Sequence, residues 1–374
     1  MAISAAGLEG IVAAESSICY IDGQAGILSY RGHNIHSLAQ HATFEEVIYL
    51  LWHGVLPTAT QLDELKAGLV RHRGLAPEVV DYLRRVPNAK PMDVLRTAIS
   101  MLGVLDPLSR ETGEAANRER ALQLMAQVST IVTTFDRLRK NVHIINGDPK
   151  LSYAANFIYC LTGRHPDSVM ERAFDVALTL HADHELNAST FAGRVVAATL
   201  SDIYSAVTAA IGALKGPLHG GANEEVIRML LDAGNASRGV EMARSMLAAK
   251  KKIPGFGHRV YRTEDPRATH LRALSEELGR RTGQEELYRT SSAIEKFIRE
   301  SKNLNPNVDF YSASTYYSLG IPIDLFTPIF AVSRMSGWTA HILEQYANNR
   351  LIRPRADYTG PADGQTWIPL AQRT

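Results

Sequence analysis

Histidine, arginine and aspartate side chains stand beside glycine and proline in several otherwise apolar parts of this 374-residue chain. The first such segment is GPLHGGAN (residues 216–223), in which His219 precedes a predicted helix. The partial positive charge at a helix N-terminus disfavours a protonated imidazole, so a neutral, hydrogen-bond-donating His219 is expected. A loop histidine without a function explains this segment alone equally well.

The second segment, KKKIPGFGHRVYRTEDPR (residues 250–267), carries six basic side chains and His258. Its glycines expose backbone N–H groups, and arginines can bind phosphate or carboxylate through two hydrogen bonds. The alternative is a solvated basic loop, which the tight PGFG turn disfavours. The segment is not a dinucleotide-binding loop, because Val260 stands where the third glycine would be.

A carboxylate and two further arginines add to these segments. Asp309 lies in NVDFYSA (residues 307–313), where it can cap a helix or act as a general base. Arg334 follows FAVS inside an otherwise apolar predicted helix, and a buried arginine needs an anionic partner. Arg353 lies near the C-terminus, where a solvated tail is the simplest interpretation.

The segment HADHE (residues 181–185) suggests a different chemistry. His181 and His184 are spaced i, i+3, so both could face one side of a helix and bind a metal. A metal-dependent hydrolase using these histidines and Glu185 is therefore an alternative function. The segment lacks the H-E-x-x-H pattern and a third ligand nearby, so a hydrogen-bonded helix end is the preferred interpretation. The two cysteines of the chain, Cys19 and Cys160, exclude a cysteine-based zinc site.

The elements that must position these side chains are mainly helical. Residues 10–35 predict a short β-hairpin around Asp22 and Gly23, and the TFEE sequence at residues 43–46 is a capping box that opens a helix ending at Gly54. Strands do not alternate with helices, so a parallel sheet is not expected. Small residues dominate residues 190–214, which favours a buried core helix or a subunit interface.

Composition excludes several classes of protein. Lys and Arg total 40 and Asp and Glu total 39, so the formal charge of +1 gives no general attraction for nucleic acid or an anionic membrane. No run reaches the roughly 18 apolar residues that a membrane span needs. No basic residue precedes Arg31, whereas Glu9 and Glu15 do, which is unlike a secretory signal. These features predict a cytoplasmic protein.

Taken together, the segments resemble the citrate synthase family. GFGHRVYRTEDPR (residues 255–267) is highly specific for it, and PLHGGAN (217–223) and NVDFY (307–311) follow the same order and spacing. The resemblance runs from GLEG (7–10) to Arg353, and HELNAST (184–190) is closer to the short prokaryotic enzymes. The resemblance does not include the extra N-terminal domain of the long bacterial forms that respond to NADH, so that regulation is not expected.

The resemblance implies an acyltransferase of the tricarboxylic acid cycle, which condenses acetyl-CoA with oxaloacetate and water to give citrate and CoA. It makes Asp309 the base that deprotonates the thioester methyl, His219 the donor to the thioester carbonyl, and His258 the group that polarises the ketone of oxaloacetate. It implies no metal and no redox cofactor. The residues implied for oxaloacetate binding are His184, Arg267, Arg334 and Arg353.

The resemblance also implies an architecture, which is mainly α with two domains and a small N-terminal hairpin. Residues 1–220 and 321–374 would form a large domain, and residues 221–320 a small mobile domain that closes over the substrates. The chain would form a homodimer in which Arg353 enters the neighbouring active site, with no nucleic-acid or membrane partner. The residues implied for CoA binding are Lys252, Gly255, Phe256, Gly257 and Arg262.

Two further interpretations remain at this stage. A 2-methylcitrate synthase would use the same residues with propionyl-CoA, and one extra methylene changes specificity by only about 1–3 kcal/mol. A non-catalytic helical scaffold is the other, but it leaves Arg334 and the histidine-bearing glycine turns unexplained.

Overall fold

Helices make up most of the computed structural model, which describes residues 6–8, 10–111 and 113–373. The prediction of a mainly α fold is confirmed. The α-helices are α1 (Ile35–His41), α2 (Phe44–His53), α3 (Ala59–His72), α4 (Pro77–Arg85), α5 (Pro91–Leu105), α6 (Glu114–Arg139), α7 (Tyr153–Thr162), α8 (Ser168–His181), α9 (Ala188–Ala197), α10 (Ile203–Leu214), α11 (Ala222–Ala233), α12 (Ala236–Ala248), α13 (Pro266–Thr282), α14 (Glu285–Lys302), α15 (Val308–Ser318) and α16 (Phe326–Ala347). Three short 3₁₀ helices (Ala6–Leu8, Ile323–Leu325 and Leu370–Gln372) accompany them.

One small antiparallel sheet precedes α1 in the described residues. It consists of β1 (Cys19–Asp22), β2 (Ile27–Tyr30) and β3 (His33–Asn34), in the order β1-β2-β3. The predicted hairpin is formed by β1 and β2, and the Asp22 carboxylate accepts hydrogen bonds from the N–H groups of Gln24 and Ala25 in the turn. The third strand was not predicted, because two residues carry no alternating pattern.

Local rules explain the helix ends closely. The capping box of α2 is present, since the N–H of Thr43 donates to Glu46 Oε2 at 2.7 Å and the N–H of Glu46 donates to Thr43 Oγ1 at 3.3 Å. The helix ends at Gly54, whose φ of 78° is accessible to glycine at little cost. Because both signals lie within a few residues, sequence alone identified them.

The small-residue stretch at residues 190–214 forms two helices, α9 and α10, which pack closely on each other. The N-cap Asp202, whose carboxylate accepts from the N–H of Ser205 at 2.8 Å, begins α10. One face of α10 is buried, while Ser205, Ala209 and Gly212 on the other face stay partly exposed. The stretch is thus partly core and leaves a face of small residues uncovered in the single chain.

Helix α16 is the centre of the core, because it packs against α2, α5, α6, α8, α9 and α10 and is buried along most of its length. Helices α11–α15 pack largely on one another and so form a second group of helices. In this second group, α13 and α15 contact α8, and α11 contacts α16. Among the described residues, no helix is both long and apolar enough to cross a membrane.

Candidate active site

The turn between α10 and α11 holds His219. The N–H of His219 donates to Gly216 O at 2.9 Å, and the ring Nε2 lies 2.9 Å from Ser189 Oγ and 3.3 Å from the N–H nitrogen of Ser189. A backbone N–H can only donate, so this contact favours a ring whose proton is on Nδ1. Burial, with Arg334 nearby, lowers the pKa of His219 to about 4. His219 is therefore a neutral donor at neutral pH, as the sequence predicts.

The loop between α12 and α13 holds His258 in the other tautomer. Its Nδ1 accepts hydrogen bonds from the N–H groups of Val260 at 3.0 Å and Tyr261 at 3.1 Å, which leaves the proton on Nε2. Burial and the nearby Arg267 lower the pKa of His258 to about 4. The ring is neutral, and its Nε2–H has no hydrogen-bond partner among the described residues, so it can donate to a ligand oxygen.

His184 lies beside His258, with ring centroids 5.3 Å apart. Its Nε2 is 3.2 Å from the Tyr261 hydroxyl oxygen, and burial holds the pKa of His184 well below its usual value. The idea that His181 and His184 share one helix face is wrong, because α8 ends at His181 and His184 lies in the turn that follows. Sequence spacing missed this because no glycine or proline marks the helix end.

Asp309 stands in the first turn of α15. The N–H of Asp309 donates to Asn307 Oδ1 at 3.0 Å, so Asn307, and not Asp309, is the N-cap. Within the described part of the chain, the Asp309 carboxylate makes no hydrogen bond. Burial raises the pKa of Asp309 to about 6, although Arg267 opposes this rise. A carboxylate without donors and with a raised pKa has the properties of a general base.

Two arginines are buried beside these groups. Arg267 binds Asp265 through two hydrogen bonds, Nε to Oδ1 at 2.9 Å and Nη2 to Oδ2 at 2.7 Å. Arg334 donates from Nε to His181 O at 2.7 Å and lies 4.8 Å from the Phe330 ring centroid. Its Nη2 is buried without a hydrogen-bond partner among the described residues. A buried cationic donor left unpaired is costly, so this atom marks a place for an anion.

The loop predicted to bind CoA is braced against the residues that precede α15. The N–H of Gly257 donates to Asn305 O at 3.0 Å, and Phe256 contacts Phe310 with ring centroids 4.6 Å apart. Gly255 has a φ of 78°, and a Cβ there would lie 2.8 Å from the Phe310 ring. The contacts of Gly255 and Phe256 with Phe310 therefore hold the loop in place.

The other predicted site residues do not join the cluster within this chain. Lys252 and Arg262 have exposed side chains, and the N–H of Arg262 donates to Gly23 O at 2.8 Å in the hairpin turn. Arg353 is exposed in the segment after α16. In the described residues its side chain makes no hydrogen bond or ion pair, so it is available to another molecule.

Sequence reasoning missed several residues that hold the site together. Asp265 appeared in the basic loop without a role, yet its carboxylate binds Arg267 and also accepts from the N–H of Val308 at 3.2 Å. Burial acts to raise the pKa of Asp265, but Arg267 outweighs it and holds that pKa below its usual range. The need of a buried arginine for a counter-charge could have identified Asp265. Ser189 and Trp338 carried no signal.

The metal interpretation receives no geometric support. His181 is buried, its Nδ1 donates to Ala177 O at 2.7 Å, and burial lowers its pKa to about 3. In the parts of the chain that the structure describes, no three His, Cys, Asp or Glu side chains are grouped to hold a metal ion. His181 therefore has the role of a hydrogen-bonded helix end.

Known citrate synthases are similar to this chain over nearly its whole length. The family model described as citrate synthase, C-terminal domain, matches residues 7–355. "Citrate synthase 2" of Bacillus subtilis is 52% identical over 369 residues, covering 98% of each chain, and the citrate synthase of Haloferax volcanii is 50% identical over 363 residues, covering 96% of each. A 2-methylcitrate synthase of Shewanella oneidensis is 43% identical over 373 residues, covering 99% of this chain and 98% of its own.

Solved structures share the fold. The citrate synthase of Pyrobaculum aerophilum has a TM-score of 0.91 at 42% identity, covering 98% of this chain and 95% of its own. The Thermoplasma acidophilum citrate synthase, in a ternary complex with carboxymethyl coenzyme A and oxaloacetate, has a TM-score of 0.92 at 33% identity, covering 98% and 99%.

The helical fold and the family match define an acyltransferase that makes a carbon–carbon bond. The chain belongs to the citrate synthase family. Its reaction is the condensation of acetyl-CoA with oxaloacetate and water, which gives citrate and CoA and feeds the tricarboxylic acid cycle.

Proposed function

We propose that the described cluster performs this condensation with Asp309 as the base, His219 as the donor to the thioester carbonyl, and His258 as the donor to the ketone of oxaloacetate. The observation that carries the proposal is that the two histidines keep an N–H at a pH where the carboxyl group has lost its proton. His219 and His258 each have a pKa of about 4 and are neutral above it, while the pKa of Asp309 is about 6. Near pH 7 the site therefore offers a base and two N–H donors together.

The chemistry needs this combination because the methyl of a thioester is a very weak acid. Asp309 removes the proton while the Nδ1–H of His219 stabilises the oxygen charge of the enolate. The enolate carbon attacks the ketone carbon of oxaloacetate, and the Nε2–H of His258 stabilises the new alkoxide by a hydrogen bond. The proton that Asp309 took from the methyl balances the charge when the alkoxide becomes the hydroxyl of citrate. Hydrolysis of the citryl thioester then releases CoA.

Oxaloacetate carries two carboxylates, which we assign to the arginines with His184 as a further contact. Arg334 supports this assignment because its Nη2 is buried and unpaired. Arg267 supports it because its guanidinium, held by Asp265, is fixed next to His258 and Asp309. Arg353 would complete the set from a partner subunit. Its exposure and the uncovered small-residue face of α10 favour a homodimer.

CoA binding and domain closure are part of the same proposal. The side chains of Lys252 and Arg262 suit the phosphates of CoA, and the loop at residues 255–257 lies beside the helix that carries Asp309. Residues 221–320 would move against the rest of the chain. The hydrogen bonds between Arg262 and Gly23 (2.8 Å) and between His36 and His270 (2.8 Å) join the two proposed domains.

A cytoplasmic location of the protein stays a prediction.

The experiment that tests the function compares two thioesters, because a 2-methylcitrate synthase stands among the relatives. We expect oxaloacetate-dependent CoA release with a higher kcat/KM for acetyl-CoA than for propionyl-CoA, since two relatives named citrate synthase are 52% and 50% identical, against 43% for the 2-methylcitrate synthase. Reactions without oxaloacetate are the control for simple thioester hydrolysis. A higher kcat/KM for propionyl-CoA would replace the proposed substrate.

A further inference from the structure

A connected series of polar side chains, most of them buried, begins at Asp183, the residue before His184, and leads away from the site. Asp183 is fully buried, and its Oδ2 lies 3.3 Å from Nε2 of His341 on α16. The other ring nitrogen of His341 lies 3.0 Å from Nη1 of the buried Arg194 on α9. Arg194 in turn forms an ion pair with Glu344 at 2.7 Å. None of these four side chains belongs to the reacting cluster.

The direction of the hydrogen bonds follows from Arg194. A guanidinium can only donate, so Nδ1 of His341 must accept. The proton of the neutral ring is then on Nε2, where it points at the Asp183 carboxylate. Arg194 is itself fixed by Glu344 and by Gln345, whose Oε1 accepts from Arg194 Nε at 3.1 Å. The hydrogen bonds are therefore donated in one direction, from Arg194 to His341 and from His341 to Asp183.

Asp183 shapes the turn that carries His184. The N–H of Glu185 donates to Asp183 Oδ2 at 3.2 Å, and Glu185 has a φ of 52°, which is uncommon for a residue with a side chain. The Tyr30 hydroxyl also donates to Asp183 O at 2.9 Å. Helix α16 approaches this turn closely only because residue 337 is glycine, since a Cβ there would lie 2.4 Å from Asp183 Oδ1.

We propose that His341 is a positioning residue for oxaloacetate binding, which acts by donating to Asp183 and so holds the turn that presents His184. The inference rests on the proposed role of His184 and extends it to residues that touch no substrate. Without this donor, the buried carboxylate of Asp183 loses one of its few hydrogen bonds, and the strained turn relaxes. His184 then leaves the place where oxaloacetate meets it.

Two substitutions of His341 separate the two bonds of the ring. His341→Gln keeps an N–H near the position of Nε2 and so retains the donor to Asp183. His341→Asn keeps an oxygen near the position of Nδ1, which retains the acceptor for Arg194 and removes the donor. Asparagine is one methylene smaller than glutamine and leaves the larger gap, so the KM for acetyl-CoA and the thermal unfolding of both variants are the controls for lost packing.

Oxaloacetate binding, measured by calorimetry and as KM, is the readout. We expect His341→Asn to weaken it by about tenfold, which is typical for a buried group left unsatisfied, and His341→Gln by less than about threefold. The KM for acetyl-CoA at saturating oxaloacetate should change little in either variant. Equal loss in both variants, or no loss in His341→Asn, would overturn the proposal.

Thermal unfolding of both variants shows whether they fold. If His341→Asn does not fold, Asp183→Asn and Asp183→Ala give the same comparison, because the amide keeps an accepting oxygen and alanine does not. Asp183→Asn should then bind oxaloacetate more tightly than Asp183→Ala, and equal affinities would contradict the proposal. Parent protein that does not bind oxaloacetate would overturn the proposed function itself, whereas a binding parent with equal variants overturns only the role of His341.

Discussion

Asp309→Asn should remove activity and stabilise the fold at the same time. An amide cannot accept the methyl proton, so we expect kcat to fall on the order of a hundredfold or more. The carboxylate makes no hydrogen bond to the described residues, and the cap that the Asp309 N–H makes to Asn307 is retained. The substitution therefore removes the charge with little loss of packing.

The gain in stability follows from the pKa. Burial raises the pKa of Asp309 from 3.8 to about 6, so the folded state binds the proton more strongly than the unfolded state. At about 1.4 kcal/mol per tenfold, ionisation at pH 7.5 costs the folded state up to roughly 3 kcal/mol. As the pH falls through 6 toward 3.8 this cost disappears, and roughly 1 kcal/mol remains at pH 4.5.

The assay measures turnover and thermal unfolding at pH 7.5 and pH 4.5. We expect Asp309→Asn to raise the melting temperature by on the order of a few degrees at pH 7.5 and by less at pH 4.5. Asp232→Asn, which neutralises an exposed carboxylate on α11, is the matched control and should change neither quantity. Near-parental turnover would remove Asp309 from the mechanism, and a lower melting temperature at pH 7.5 would refute the electrostatic reasoning.

Two further predictions concern the assembly and the order of binding. Arg353→Ala and Asp309→Ala should each be nearly inactive on their own. Mixed heterodimers of the two variants should recover activity, because one of their two sites would carry both defects and the other neither. If the subunits exchange and activity does not recover, the site is not shared. Oxaloacetate should tighten acetyl-CoA binding in calorimetric titrations, because it contacts residues of both proposed domains and so favours the closed state. Arg267→Leu should weaken oxaloacetate binding and this coupling together, and equal acetyl-CoA affinity with and without oxaloacetate would rule out closure.

The sequence predicts those parts of the molecule whose causes are local. The capping box at Thr43 and the turn at Asp22 depend on residues within a few positions, and both have the predicted form. The groups proposed to carry the chemistry are recognisable because His219 and His258 lie in unusual contexts of glycine and proline, and Asp309 follows Pro306 among apolar neighbours. The structure places all three in one region with the protonation that the chemistry needs.

The rest depends on contacts between distant residues. Ser189 fixes the His219 ring and is itself bound by the indole N–H of Trp338 at 3.1 Å, although 149 positions separate these two residues. The partner of Asp183 lies 158 positions away in α16. No periodicity or local motif encodes such pairs, because they are set by how the helices pack. The role proposed for Arg353 depends on a second chain, which one sequence does not place.

The most direct test of the account is a crystal structure of the protein with oxaloacetate and carboxymethyl-CoA, an unreactive analogue of acetyl-CoA. The account predicts that the carboxyl group of the analogue lies between Asp309 and Nδ1 of His219. It also predicts that oxaloacetate binds His258 and fills the unpaired Nη2 of Arg334, with Arg353 of the partner subunit as a further contact. Oxaloacetate bound away from Arg334, or an analogue whose carboxyl group does not reach Asp309, would contradict it.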